Sequence, residues 1–228
     1  EVTHFVADGT IDGAHGLTRA RDCIAADGRF SDARFEREGR SVRMIFGEHS
    51  WAWNDNPFVG TPQLSGLKIL VMLLSNWDTK DRREVARGSN TAIFEHRLAG
   101  LSREARYLIT DWGGAMGTWG TNGISRGRWD PDGFEAQTPG FAAGVDNGVV
   151  RFGYVGQRTA DVADGIPVEH ARWFHAIADR LSTAHLRVGL LASGATEDEA
   201  DRFARAIRDR IDQLGRVLAA DQNRQLAS

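Results

Sequence analysis

From Thr61 to Asn76 the chain is apolar at Leu64, Leu67, Ile69, Leu70, Val71, Leu73 and Leu74, which leaves little polar face. A helix of that kind is buried on most sides rather than on one stripe. Its start is chemically marked. Thr61 suits the N-cap, and Pro62 suits the first helical position, where the missing N–H is no loss. The pattern therefore predicts a buried helix over 62–76, ending at Asn76-Trp77. After the polar stretch DTKDRREVARGS, the runs NTAIFEH and ARYLITDW turn to β-branched and aromatic residues. The polar segment Leu98 to Glu104 between them predicts a hairpin. GVDNGVVRFGYVG predicts a second hairpin, turning at Asn147-Gly148. From Ile166 the period lengthens to three and four, and three helices are expected, in IPVEHARWFHAIADRLS, STAHLRVGLLASG and TEDEADRFARAIRDRIDQLGRVLAA. Pro167 suits a first turn, Gly194 a C-terminal cap, and Thr196 an N-cap followed by Glu197, Asp198 and Glu199. Phe203, Ile207, Ile211, Leu214 and Leu218 form the core stripe of the last helix.

Elsewhere the pattern is weaker. Gly and Asp punctuate the first fifty residues, leaving short strands at Thr3 to Ala7 and Val42 to Phe46 and a short helix at Gly16 to Ile24. Because EVTHFVADG reads as a strand running into a turn, a further segment is expected upstream of Glu1. The Gly- and Trp-rich stretch Gly113 to Gly144 has little periodicity, and a loop that long in a compact domain is functional or mobile. No repeat or linker interrupts the 228 residues. They read as one domain: 1–60 irregular with short strands, 61–165 a helix with loops and hairpins, 166–228 helical.

Composition narrows the function classes. A hydrophobic share of 41%, a charged share of 26% and a net charge of −3 describe a globular chain without the basic excess of a nucleic-acid or membrane-surface binder. The longest apolar run, Ile69 to Leu74, is far short of a membrane span. The single cysteine, Cys23, forms no internal disulfide and reads as an inert thiol. His170 and His175 are five apart, and the seven histidines show no metal-ligand spacing. Trp51, Trp53, Trp112, Trp119 and Trp129 read as packing for irregular loops, with a sugar or nucleobase platform as the alternative. Trp53-Asn54-Asp55 reads either as a site edge or as a turn cap beside Pro57. The alternating charges of 197–212 read as a solvated helix face.

Three oxygen-bearing side chains remain, each at the edge of a regular element: Asp78, Asn90 and Asp111. Mg²⁺ prefers hard oxygen ligands drawn from separate loops, and phosphoryl transfer asks of a protein chiefly positioning, a metal and a carboxylate near the attacking hydroxyl. NWDTK at 76–80 resembles the catalytic loop of the protein-kinase superfamily, in which an Asp is followed two residues later by Lys or Arg. SNTAIF at 89–94 is similar to the Asn and apolar strand that follow that loop. RYLITDWGG at 106–114 resembles the strand leading to the metal-binding Asp-Phe-Gly, with Trp112 in place of Phe. The nearest flavour is the atypical branch of secretory-pathway, spore-coat and phosphoinositide-type kinases.

The resemblance implies an α+β fold: a kinase-like C-terminal lobe, mostly helical, with a small β-hairpin carrying the metal-binding loop. It implies Asp78 as the catalytic carboxylate, Lys80 at the γ-phosphate, Asn90 and Asp111 as Mg²⁺ ligands, and Gly113 beside them at the ATP site. The implied partners are a nucleotide, a phosphate acceptor of open identity and an N-terminal lobe upstream in the same protein. The chain departs from the pattern in three ways. Asp78 and Asn90 are twelve residues apart, with DRREVARG (81–88, including Arg82, Arg83 and Arg87) inserted between them. No His-Arg precedes Asp78. No glycine-rich phosphate loop is recognisable in the first 75 residues. A pseudokinase or binding module without turnover, and a metal-dependent phosphohydrolase using Asp78 and Asp111, are the alternatives.

Overall fold

A computed structural model describes residues 42–44, 52–79, 90–98, 102–109, 111–119, 127–154 and 160–227, all within the unit Ser41–Ser228. The expected strand at Thr3 to Ala7, the short helix at Gly16 to Ile24, Cys23, Trp51, Lys80 and the 81–88 insertion lie outside the described residues.

The described residues form an α+β structure of two small antiparallel sheets and a set of helices. Helix α1, Pro62–Leu73, starts as the sequence predicts: Thr61 has extended dihedrals, its Oγ1 accepts from the Leu64 N–H at 3.2 Å, and Pro62 follows. Leu64, Ile69, Val71, Met72 and Leu73 are buried, as expected for a helix without a polar face. So is Lys68, whose Nζ reaches out to Asn54 Oδ1 at 3.2 Å and the Asp164 carbonyl at 2.6 Å. That contact anchors the turn around Asn54 to α1, so the structure assigns this segment a role as an anchored turn. The side chain of Asn56 closes the same turn on the Ala52 carbonyl at 2.7 Å.

Strands β1 (Val42–Met44), β2 (Thr91–Arg97) and β3 (Arg103–Ile109) form a sheet in that order. The hairpin runs from Thr91 opposite Ile109 to Arg97 opposite Arg103. Its strands reach slightly further than expected, because Leu98 N–H already bonds the Ser102 carbonyl at 3.1 Å. Ile93 is buried in a small cluster with Phe58, Phe94 and Tyr107. The second sheet pairs β4 (Ala142–Asp146) with β5 (Val149–Phe152) across Asn147-Gly148. Both turn residues have positive φ, +49° and +76°, as a tight two-residue hairpin turn requires.

Helix α2, Pro131–Gln137, is capped by Asp130, and the short helix α3 is Ala160–Ala163. The three expected C-terminal helices are α4 (Val168–Ala178), α5 (Thr183–Ala192) and α6 (Glu197–Ala227). Thr196 and Glu199 form a reciprocal capping box at the start of α6: Thr196 N–H donates to Glu199 Oε2 at 2.8 Å, and Glu199 N–H to Thr196 Oγ1 at 3.3 Å. The stripe Phe203, Ile207, Ile211, Leu214, Leu218 is buried as predicted, in one core with α1, Phe134, Phe141 and Phe152. His170 meets Ser65 of α1 at 2.9 Å, tying α4 to α1. Among the described residues no helix is long and apolar enough to cross a membrane.

Candidate functional site

The site grows from the end of α1. Ser75 adopts φ +50°, and the Asn76 N–H turns back to the Val71 carbonyl at 2.9 Å. This reversal is held from the far side of the core by Arg210 of α6. Its Nη1 donates to the Leu73 carbonyl and to Ser75 Oγ, both at 2.9 Å, its Nε to Thr138 Oγ1 at 3.0 Å and its Nη2 to the Phe134 carbonyl at 2.8 Å. The guanidinium lies 3.5 Å from the centre of the Phe134 ring. It is wholly buried, which corrects the reading of 197–212 as a solvated face at this position. Burial pushes its pKa down to about 10, so the side chain remains a cation at neutral pH. Arg210 thereby fixes the base from which the next loop projects.

That loop carries Asn76 and Asp78 and lies against the loop carrying Asp111. Asn76 is fully buried, and its Nδ2 donates to the main-chain carbonyl of Asp111 at 3.0 Å. Its Oδ1 is buried with no hydrogen-bond partner. Asp111 is exposed, and one of its carboxylate oxygens accepts from the Gly113 N–H at 2.7 Å, which fixes its rotamer. Gly114 packs directly on Asp78: a Cβ there would lie 2.9 Å from Asp78 Cβ, 3.3 Å from Asp78 N and 3.2 Å from Asn76 Oδ1. Only a glycine lets the two loops approach this closely. Asn90, at the foot of β2, has φ +56° and donates its Nδ2 to the Asp78 carbonyl at 2.7 Å. The structure thus places Asp78 beside Asn90, through its main-chain carbonyl, and beside Gly114, and places Asp111 beside Gly113.

The segment after Asp111 is pinned as well. Met116 N–H bonds the Leu74 carbonyl at 2.8 Å, and Trp129 and Asp130 bond back to Ala115 and Met116 at 3.0 and 2.7 Å. Trp77 Nε1 donates to the Gly127 carbonyl at 2.9 Å. The tryptophans act here as loop packing: Trp119 is buried and stacks on Tyr154 at 5.5 Å, and Trp129 meets Phe203 at 5.2 Å.

Asn76 and Arg210 are the members that sequence reasoning missed. Asn76 stands two residues before Asp78, where the expected His-Arg is lacking, so its position was the available signal. Arg210 falls on the core stripe by helical spacing, seven after Phe203, three after Ile207 and four before Leu214, which was the available signal.

Asp78 and Asp111 carry carboxylates and Asn90 an amide whose nitrogen is committed to the Asp78 carbonyl; these are hard-oxygen donor types of the kind Mg²⁺ takes. The Asn76 Oδ1, without a hydrogen-bond partner, lies in the tight contact between the loops, 3.2 Å from where a Cβ on Gly114 would sit. Among the described residues no three His, Cys, Asp or Glu side chains cluster as a metal cage. No family model, no curated protein and no solved structure matches the chain.

Proposed function

We propose that the chain is a kinase-like catalytic lobe that transfers the γ-phosphate of ATP to a hydroxyl-bearing acceptor with the help of Mg²⁺. The observation that carries this reading is the joining of two loops distant in sequence, through Asn76 to the Asp111 carbonyl and Asn90 to the Asp78 carbonyl. Asp111 and the Asn90 amide oxygen would hold the cation. When bound, Mg²⁺ would offset the negative charge of the phosphates. The chain's own residues do the rest. Asp78, exposed at the loop tip, accepts the hydrogen bond of the acceptor hydroxyl and takes its proton. The acceptor oxygen bonds to the γ-phosphorus as the bond to the bridging oxygen breaks, and ADP leaves with that electron pair. Asn76 and Gly113 act through Asp111, one on its carbonyl and one on its carboxylate, and so are positioning residues. Lys80 is assigned to the γ-phosphate by resemblance.

The test is Mg²⁺-dependent consumption of γ-labelled ATP by the full-length protein, with water as the default acceptor. The reading expects slow label release that EDTA abolishes and Asp78→Asn removes. Release of phosphate from a simple ester without nucleotide would instead favour a phosphohydrolase. Nucleotide binding without any release would leave a binding module.

A further inference from the structure

Next to Asp111 lies a cavity of about 750 Å³, within the size range of small-molecule sites. One wall is Leu74 at the end of α1 with Trp112, Gly113 and Met116 of the Asp111 loop; the other is Leu186 and Leu190 of α5. Trp129 and Arg128 complete the rim. The cavity therefore begins at the residue that holds the Asp111 carboxylate, and the following residue, Gly114, touches Asp78.

Two features indicate that the space is maintained. Leu186 and Leu190 of α5 are half-buried: they pack against the edge of the core and also line the cavity. Gly189 sits in the middle of α5 and lines the same cavity, and a Cβ there would meet nothing within 4 Å. Glycine weakens a helix interior relative to alanine, and here neither a close approach nor a positive φ calls for it. What it leaves is room. Apart from His185 and Ser193 the rest of the lining is apolar and aromatic, and Arg128 is the one permanently charged side chain among the lining residues.

We propose that this cavity seats the phosphate acceptor: a small amphiphilic alcohol, its apolar body between Trp112 and α5 and an anionic group at Arg128. That the ligand is the acceptor rests on the phosphotransferase reading. That the cavity binds an apolar anion does not. The acceptor's hydroxyl then lies at the Gly113 end of the cavity, beside the residue that holds the Asp111 carboxylate.

The probe is 8-anilinonaphthalene-1-sulfonate, an apolar aromatic body with one negative charge, compared with its neutral analogue N-phenyl-1-naphthylamine. Both are titrated into the full-length protein and followed by energy transfer from tryptophan. The proposal expects saturable single-site binding that Gly189→Leu weakens about tenfold or more, with the unfolding midpoint unchanged or raised. Arg128→Gln, at an exposed position, weakens the sulfonate and leaves the neutral analogue alone. Binding that does not saturate, or that survives Gly189→Leu in a folded protein, overturns the cavity as a site. An Arg128→Gln protein that binds both probes as the wild type does overturns the anionic class. If the sulfonate binds as expected but Mg²⁺–ATP does not bind the wild-type protein, the acceptor assignment fails with the phosphotransferase reading and the cavity stands. If Mg²⁺–ATP binds while Gly189→Leu leaves the sulfonate unaffected, the cavity proposal alone fails.

Discussion

The side-chain amide of Asn90 donates to the main-chain carbonyl of Asp78 at 2.7 Å, closing a segment of twelve residues. The bond orients Asn90 by committing its side-chain nitrogen to the Asp78 carbonyl, so Asp78 and Asn90 lie in contact although they are twelve positions apart in sequence.

Replacing Asn90 separates two effects. At φ +56° a side chain with a Cβ is strained unless, like Asn, it hydrogen-bonds locally. Asn90→Gly is therefore expected to exceed Asn90→Ala in stability by about 1 kcal/mol. Both variants lose the bond to Asp78, so both are expected to lose about tenfold in Mg²⁺–nucleotide affinity. Urea denaturation reads the first comparison and calorimetry the second.

Gly114→Ala tests the contact between loops. The added methyl group lies too close to Asp78 Cβ and Asp78 N for either to stay in place. A destabilisation of about 1–3 kcal/mol is expected from overpacking, with a larger proportional loss of Mg²⁺–nucleotide binding because the displaced groups belong to the site. Denaturation midpoints and calorimetric affinities, measured on the same preparation, check whether binding falls further than stability.

Arg210→Met keeps the apolar stem and removes the guanidinium. It leaves the buried carbonyls of Leu73 and Phe134 without this donor. Each unsatisfied buried group costs about 1–3 kcal/mol, so a loss on the order of 3 kcal/mol is expected in urea denaturation. The variant also frees Ser75, and nucleotide affinity is expected to fall under conditions where the protein remains folded.

Much of the fold was readable from the sequence because its signals are local. Thr61-Pro62, Asn147-Gly148 and the Thr196–Glu199 box each declare an element boundary through chemistry confined to a few residues, and the stripe from Phe203 to Leu218 declares a buried face. Asp78, Asn90 and Asp111 were singled out from motif order, and the structure adds the loop contacts that run through Asn76, Asn90 and Gly114. Arg210 and Asn76 were not identifiable in this way. The burial of Arg210 depends on acceptors 72 to 137 residues away, and the partner of Asn76 is 35 residues further on. The cavity beside Trp112 was equally hidden, since it arises from where α5 sits and not from any pattern within α5.

The capping box at the start of α6 carries a pH dependence. Hydrogen bonds from the Thr196 N–H and hydroxyl, with a smaller one from Trp129 Nε1, hold the Glu199 carboxyl below its ordinary value of 4.5. A carboxylate with a depressed folded-state pKa adds stability above its unfolded value and loses it as pH falls through the folded value. Wild type is therefore expected to exceed Glu199→Gln in stability at pH 7, with the margin shrinking below about pH 4.5. Denaturation of both proteins across pH 3 to 7 reads this directly.

Calorimetric titration of the full-length protein with Mg²⁺–ATP, for wild type, Asp111→Asn and Asp78→Asn, tests the central claim. The account predicts metal-dependent binding that Asp111→Asn abolishes and Asp78→Asn largely keeps, because one residue holds the cation and the other meets the acceptor. Absence of Mg²⁺-dependent binding in the wild type, or binding that Asp111→Asn leaves unchanged, would contradict it.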